Sequence, residues 1–148
     1  MKNIVQLFRL VFCFVLILSL TWGNQLVFGQ AAKKWVAPES ASESKNPYKD
    51  NAEVIPEAKK LFTAMCVVCH GETGRGNGKA SVAIMPHPAN FLSIDVESES
   101  DGAIFWKLTN GNPPMAPYKT MLTDEQRWKL VTYIRKLEEN DKGHEKKK

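Results

Sequence analysis

Cys66-Val67-Val68-Cys69-His70 is the stretch that decides the fold of this 148-residue chain. Cysteines three positions apart lie about one helical turn from each other, so both thiols can form thioether bonds to the two vinyl groups of one porphyrin. The adjacent imidazole can then bind the iron at the centre of the ring. We therefore predict one covalently attached haem c, with Cys66 and Cys69 as its tethers and His70 as the proximal iron ligand.

The Cys-x-x-Cys pair alone is also compatible with a thioredoxin-like dithiol, half of a zinc site or two structural cysteines. The third and last cysteine of the chain, Cys13, lies in an apolar N-terminal run, so no second pair completes a zinc site. No strand-helix-strand pattern surrounds the motif, and a redox dithiol leaves the following histidine unexplained. The haem interpretation accounts for all three residues of the motif.

The N-terminus tests this prediction, because haem c is attached only after export. Lys2 and Arg9 are the only charged residues before Lys33, and an apolar stretch runs from Leu10 to Trp22. This pattern is typical of a signal peptide, which we place at residues 1–29.

Cleavage after Gly29 fits the preference for small residues, and cleavage one or two residues later is an alternative. The competing interpretation is an uncleaved membrane anchor, because residues 10–28 carry no charge. In both cases the rest of the chain lies outside the cytoplasm, in the periplasm or an equivalent compartment.

The charge of the exported part is nearly balanced. Without residues 1–29 the chain holds 18 basic and 16 acidic residues, and residues 54–137 alone hold 10 basic and 8 acidic ones. This balance argues against nucleic acid as a partner.

Composition divides the exported part into three segments. Residues 30–53 are rich in Ala, Ser, Pro, Glu and Lys and predict an extended, solvated lead-in. Trp35 and Tyr48 are its exceptions, and their rings are either exposed or buried by a segment that wraps onto the following domain. Residues 138–148 are mostly Glu, Asp and Lys and predict a flexible tail. Between them lies one small domain, residues 54–137.

Three helical patterns in this domain predict an all-α fold. The first begins near Pro56 and ends at the tether motif. The second has Ser100 as a candidate cap and ends at Asn110-Gly111. The third begins with a capping box of Thr123 and Gln126. A domain this small buries little apolar surface, so we expect the three helices to pack around the haem and the haem-free chain to be largely unfolded.

The second axial ligand of the iron decides the chemistry, because His/Met ligation suits electron transfer whereas an open site binds small molecules. Met115 is the leading candidate, since three prolines between residues 110 and 118 stiffen the loop that presents it. Met121 is the fallback. Met65 and Met85 are expected to pack in the protein instead.

Residues 54–137 resemble the class I c-type cytochromes, the small monohaem electron carriers, and are similar to exported bacterial members. The resemblance is carried by Phe62 four residues before Cys66, the tether motif, the glycine-rich turn after His70, Pro-Ala-Asn-Phe at 88–91, Pro-Pro-Met at 113–115, and Tyr133.

This resemblance implies a cytochrome c fold with three main helices around the haem, in which the first and last helices cross where Phe62 meets Tyr133. It also implies that a proline carbonyl, from Pro86 or Pro88, accepts a hydrogen bond from His70. It does not extend to the lead-in, to the tail or to a collar of docking lysines.

The expected function is that of an exported carrier that moves single electrons between respiratory redox partners and transforms no substrate. We expect transient protein partners, a monomer, and membrane contact only if the N-terminal segment is uncleaved. One alternative is a haem enzyme or small-molecule sensor with a labile sixth site. The other is an electron-transfer subunit of a membrane complex, held by the anchor or by residues 35–48.

Overall fold

A computed structural model describes residues 34–145 of the chain, with the side chains of residues 34–143. Within this range the chain is helical without strands, apart from one antiparallel bridge between Asn112 and Met115. The predicted signal peptide or anchor, residues 1–29, lies outside the described residues. None of the helices in residues 34–145 has the length and apolar character needed to cross a membrane.

Five α-helices occur in the described range. They are α1 (Ile55–Met65), α2 (Val67–His70), α3 (Ile94–Glu97), α4 (Asp101–Asn110) and α5 (Asp124–Glu145). Short 3₁₀ turns precede α1 at Glu39–Glu43 and Ala52–Val54, and others lie between later helices at Ser81–Ala83 and Tyr118–Thr120. The three helices predicted from the sequence are α1, α4 and α5, and the all-α fold is confirmed.

The predicted helix starts are also confirmed. Pro56 lies in the first turn of α1, where its missing amide proton costs nothing. The Ser100 hydroxyl accepts a hydrogen bond from the Ala103 amide at 3.1 Å and caps α4. Before α5 the Thr123 hydroxyl and the Gln126 side chain each accept a hydrogen bond from the other's amide, at 3.2 and 3.0 Å.

Helices α1 and α5 pack against each other and form the core. The rings of Phe62 and Tyr133 meet there with centroids 5.1 Å apart, as the resemblance implies. Ala58, Leu130 and Val131 are at most 1% exposed in the same contact. Each large apolar side chain buried in this way contributes about 1.5–3 kcal/mol, so the crossing is a main source of stability.

The described part of the lead-in is mostly exposed to solvent, but it lies against the domain. Ala41 in the turn Glu39–Glu43 is buried against the start of α4. A Cβ at Gly102 would overlap the Ala41 carbonyl, so the two backbones are in direct contact. The alternative, in which the segment wraps onto the domain, is therefore correct for the described part of the lead-in.

The predicted flexible tail is wrong over residues 138–145, where α5 continues without a break. Glu138 is buried and accepts a hydrogen bond from Arg135 at 3.0 Å. Lys142 pairs with Glu97 of α3 at 2.8 Å, and Leu137 packs against the core. These contacts stabilise a charged sequence that would fray as an isolated helix end.

Candidate haem site

An apolar cavity lies inside the domain and brings three predicted site residues together. Cys66, His70 and Met115 all line it, and Phe62 and Ile134 belong to its walls. Cys66 is at the end of α1, His70 closes α2, and Met115 comes from the loop after α4. The cavity therefore collects one predicted tether, the predicted proximal ligand and the leading candidate for the distal ligand from separate parts of the chain.

The two cysteines are free thiols within one helical turn. The amides of Cys69 and His70 both donate to the Cys66 carbonyl, at 3.1 and 2.8 Å. Burial, with a smaller contribution from neighbouring Cys69, raises the pKa of Cys66 to about 12. Both sulfurs are therefore present as an adjacent pair, which a thioether-linked haem requires.

The glycine-rich turn after the motif folds back onto α2. The amides of Gly76 and Gly78 donate to the carbonyls of His70 and Cys69, at 2.9 and 3.0 Å. The Ala80 amide donates to the Val68 carbonyl at 2.9 Å. These bonds satisfy the carbonyls at the end of this one-turn helix and hold the motif rigid.

The imidazole of His70 is oriented from both its edge and its face. Its Nδ1 donates to the Ala89 carbonyl at 3.0 Å, which leaves Nε2 free to bind iron. Its ring stacks on Phe91 with centroids 4.4 Å apart. Burial lowers the pKa of His70, and the hydrogen bond to Ala89 opposes this shift only in part. A neutral imidazole, the form that binds metals, is thereby favoured.

Pro86 and Pro88 do not supply the carbonyl that fixes His70, so that prediction is wrong. The acceptor is Ala89, the residue after Pro88. The Pro88 carbonyl points instead at Gly76, where a Cβ would overlap it. The Pro88 carbonyl therefore lies against the glycine turn, and the Ala89 carbonyl lies against the imidazole.

The loop that carries Met115 is held at both ends. The backbones of Asn112 and Met115 exchange two hydrogen bonds of 3.0 and 2.8 Å. Gly111 has φ +63°, and a side chain there would also collide with Pro117. The Tyr118 hydroxyl donates to the Met65 carbonyl at 3.2 Å and ties the loop to the end of α1.

The other methionines are placed differently. Met121 is 49% exposed and is not part of the cavity wall. Met65 packs against the core, as expected. Met85 is 75% exposed, so its predicted packing role is wrong.

The residues of this cavity fit a covalently bound haem c. Its walls are mainly aliphatic and aromatic side chains, as a porphyrin face requires, and the Cys66 thiol and the His70 imidazole reach it from the tether motif, with the free thiol of Cys69 one turn further along the chain. No buried polar side-chain atom in the described part of the chain lacks a hydrogen-bond partner.

The chain is similar to solved structures of other proteins. The chain is similar to the Kuenenia stuttgartiensis reducing HAO-like protein complex Kustc0457/Kustc0458, with TM-score 0.55 and 25% identity over 62% of this chain. The chain spans only 46% of that chain's length. It is also similar to the KustC0563 c-type cytochrome, with TM-score 0.45 and 28% identity over 54% of this chain and 95% of that one. No curated protein sequence gives a significant match.

A family model supplies the broader assignment. Residues 53–134 match the model described as cytochrome c oxidase, cbb3-type, subunit III. The matched range begins just before α1 and ends in α5, so it contains the tether motif and Met115. Because the match spans more than half of the chain, this protein belongs to the cytochrome c oxidase, cbb3-type, subunit III family and is a c-type cytochrome with covalently bound haem c.

Proposed function

We propose that this haem electron-transfer protein carries single electrons between protein partners outside the cytoplasm, with His70 and Met115 as its axial iron ligands. The observation that carries the proposal is that Met115 lines the same apolar cavity as His70 and Cys66. The fallback, Met121, is half exposed and away from that cavity.

Bound haem c supplies one-electron chemistry between Fe(II) and Fe(III). The protein's part is to hold two neutral ligands in place in both oxidation states. Ala89 fixes the tautomer of His70, and the paired backbones of Asn112 and Met115 preset the position of the thioether. A stiff loop loses little entropy when its sulfur binds, which favours retention of a weak ligand.

The same ligand pair argues that the protein is not an enzyme. With His70 and Met115 on the iron, no coordination position is left for a substrate. The location outside the cytoplasm is supported by the apolar run at residues 10–22, which has the pattern of an export signal.

The test is the ferric absorption spectrum of the holo-protein at neutral pH, recorded for the wild type, Met115→Ala and Met121→Ala. We expect a weak long-wavelength charge-transfer band from methionine sulfur to iron in the wild type and in Met121→Ala, and its loss in Met115→Ala. Rapid binding of carbon monoxide or cyanide should appear only with Met115→Ala. A high-spin wild type without the band would instead favour the enzyme or sensor alternative.

A second candidate function is that of an electron-transfer subunit within a larger complex. The matched family is described as an oxidase subunit, and one similar structure is titled as a protein complex. N-terminal sequencing and native mass measurement separate the two candidates. A free monomer that begins near Gln30 supports the carrier, whereas an intact Met1 and co-purifying subunits support the complex.

A further inference from the structure

The described part of the lead-in, residues 35–51, precedes the range matched by the family model and nevertheless reaches the haem cavity. Trp35, near its start, is a member of the cavity wall. We call residues 35–51 the strap. The family comparison does not account for this segment, so its role has to be argued from its own contacts.

The C-terminal end of the strap is anchored to α4 and α5 by hydrogen bonds that involve side chains. Asn46 Nδ2 lies 3.1 Å from Asp101 Oδ2 and 3.1 Å from Thr132 Oγ1. The Thr132 hydroxyl lies 3.0 Å from the Tyr48 carbonyl, and Lys129 Nζ is 5.6 Å from the Tyr48 ring centroid. Residues more than 80 positions apart are thereby joined, which fixes the path of the strap.

The N-terminal end of the strap, at Trp35, is held by contacts with an aromatic ring and with a lysine. The Trp35 ring lies 6.4 Å from the Trp106 ring, and Lys107 Nζ lies 5.3 Å from the centroid of Trp35. The Lys107 ammonium is ion-paired with Glu99. Both contacts are stabilising at a partly desolvated site, so Trp35 is held in place rather than left as an exposed ring.

Trp35, Glu99 and Lys107 share one part of the cavity wall. Apart from His70, which can also titrate, the charged side chains of the cavity wall are those of Glu99 and Lys107. The Glu99 side chain is 19% exposed and the Lys107 side chain is 16% exposed. This edge carries the ion pair of an otherwise apolar cavity wall. Trp35 covers it, because its ring contacts Lys107 from outside the matched domain.

We propose that the strap closes the haem cavity, with Trp35 as the residue that excludes water from the Glu99–Lys107 edge and so raises the reduction potential. Exclusion of water disfavours the ferric state, which carries one more positive charge than the ferrous state. The inference rests on the covalent haem of the family and not on Met115 ligation, so the two proposals can fail separately.

The experiment compares the reduction potentials of the holo-protein and its strap variants by spectroscopic titration. Trp35→Ala should lower the reduction potential. Trp35→Phe keeps an apolar aromatic ring at this position, so its potential should be close to that of the wild type. The matched control is Val36→Ala, because Val36 is 68% exposed and does not line the cavity. The methionine-to-iron band should persist in all three variants.

A fourth variant, Asn46→Ala, removes an anchor of the strap but changes no residue that lines the cavity. It remains informative if Trp35→Ala does not retain haem. Loss of this anchor should speed hydrogen exchange of the amides of residues 36–44 by at least about fivefold, because Asn46 makes more than one hydrogen bond and a single one is worth about that factor. It should also lower the potential in the same direction. An unchanged potential in both Trp35→Ala and Asn46→Ala, or an equal drop in Val36→Ala, would overturn the proposal.

Discussion

The Nδ1 atom of His70 lies 3.0 Å from the carbonyl oxygen of Ala89. Since a carbonyl can only accept, the proton is on Nδ1 and the lone pair on Nε2 is available to iron. Two residues further on, the Phe91 amide donates to the Gly74 carbonyl at 2.8 Å and its ring stacks on the imidazole. A single short segment, residues 89–91, thus sets the tautomer and the ring plane of His70.

Replacement of Phe91 by alanine should therefore destabilise the holo-protein. The ring is half buried and contacts both His70 and Phe62. We expect a loss of about 2 kcal/mol in the free energy of unfolding, less than for a fully buried phenylalanine. Denaturant titration of the holo-protein measures it. The control is Val82→Ala at an 86% exposed residue, which should stay within about 0.5 kcal/mol of the wild type. Equal stability of the two variants would contradict the prediction that the contacts of Phe91 stabilise the holo-protein.

Gly111→Ala should disturb the Met115 loop. Gly111 has φ +63°, and an added Cβ would meet the backbone of Met115 and Pro117. We expect a loss of about 1–3 kcal/mol in unfolding free energy and a weaker methionine-to-iron band. The matched control is Gly143→Ala, because Gly143 is in α5 with open space around it. Alanine there should leave stability unchanged or raise it by up to about 1 kcal/mol. An intact band and unchanged stability in Gly111→Ala would show that the conformation of the Met115 loop does not depend on this glycine.

Loss of the haem tethers should unfold the domain. The double variant Cys66→Ala/Cys69→Ala, prepared without haem, leaves the cavity walls facing water instead of a porphyrin, and a domain of this size has little other core. Far-ultraviolet circular dichroism should show much less helix than the holo-protein, without a cooperative melt. Native-like helicity with a sharp thermal transition would mean that the crossing of α1 and α5 is sufficient by itself.

Glu138 predicts a specific pH dependence of stability. Its carboxyl is buried, and burial raises its pKa above the ordinary value, although Arg135 and Lys142 oppose the shift and Glu97 adds to it. The folded state therefore binds this proton more tightly than the unfolded state. As the pH rises from the ordinary pKa of a glutamate to the raised pKa of Glu138, the ionisation of Glu138 lowers the free energy of unfolding. Glu138→Gln removes that cost.

Chemical denaturation of the wild type and Glu138→Gln between about pH 4 and pH 7 measures the effect. The two proteins should be most alike at the acidic end, where the carboxyl is neutral, and the variant should gain relative stability as the pH rises. A variant that loses relative stability with rising pH would show that the ion pair with Arg135 outweighs the burial of Glu138.

Local signals in the sequence predicted much of this protein correctly. The Cys66–His70 motif identified the covalent haem, and the caps at Ser100 and Thr123 placed the starts of α4 and α5. Each signal involves residues within one or two helical turns, whose geometry is fixed by covalent spacing and backbone hydrogen bonds. The contact between Phe62 and Tyr133 was implied only by resemblance to a known family, because nothing local relates residues in two helices.

Other features were decided by tertiary structure alone. Ala89, rather than Pro86 or Pro88, accepts the hydrogen bond from His70, and the Pro88 carbonyl lies against Gly76 of the glycine turn. The charged end of α5 stays helical because contacts with α3 stabilise it, and these are invisible in a run of Glu, Asp and Lys.

The sequence by itself thus determined that this protein carries a covalent haem and where its main helices begin, because those properties depend on neighbouring residues. Only the tertiary structure decided which carbonyl fixes His70, which methionine lines the cavity, and that Trp35 belongs to the cavity wall. These relationships join residues far apart in the chain. Their energies come from close packing and desolvation, which exist only once the helices have come together.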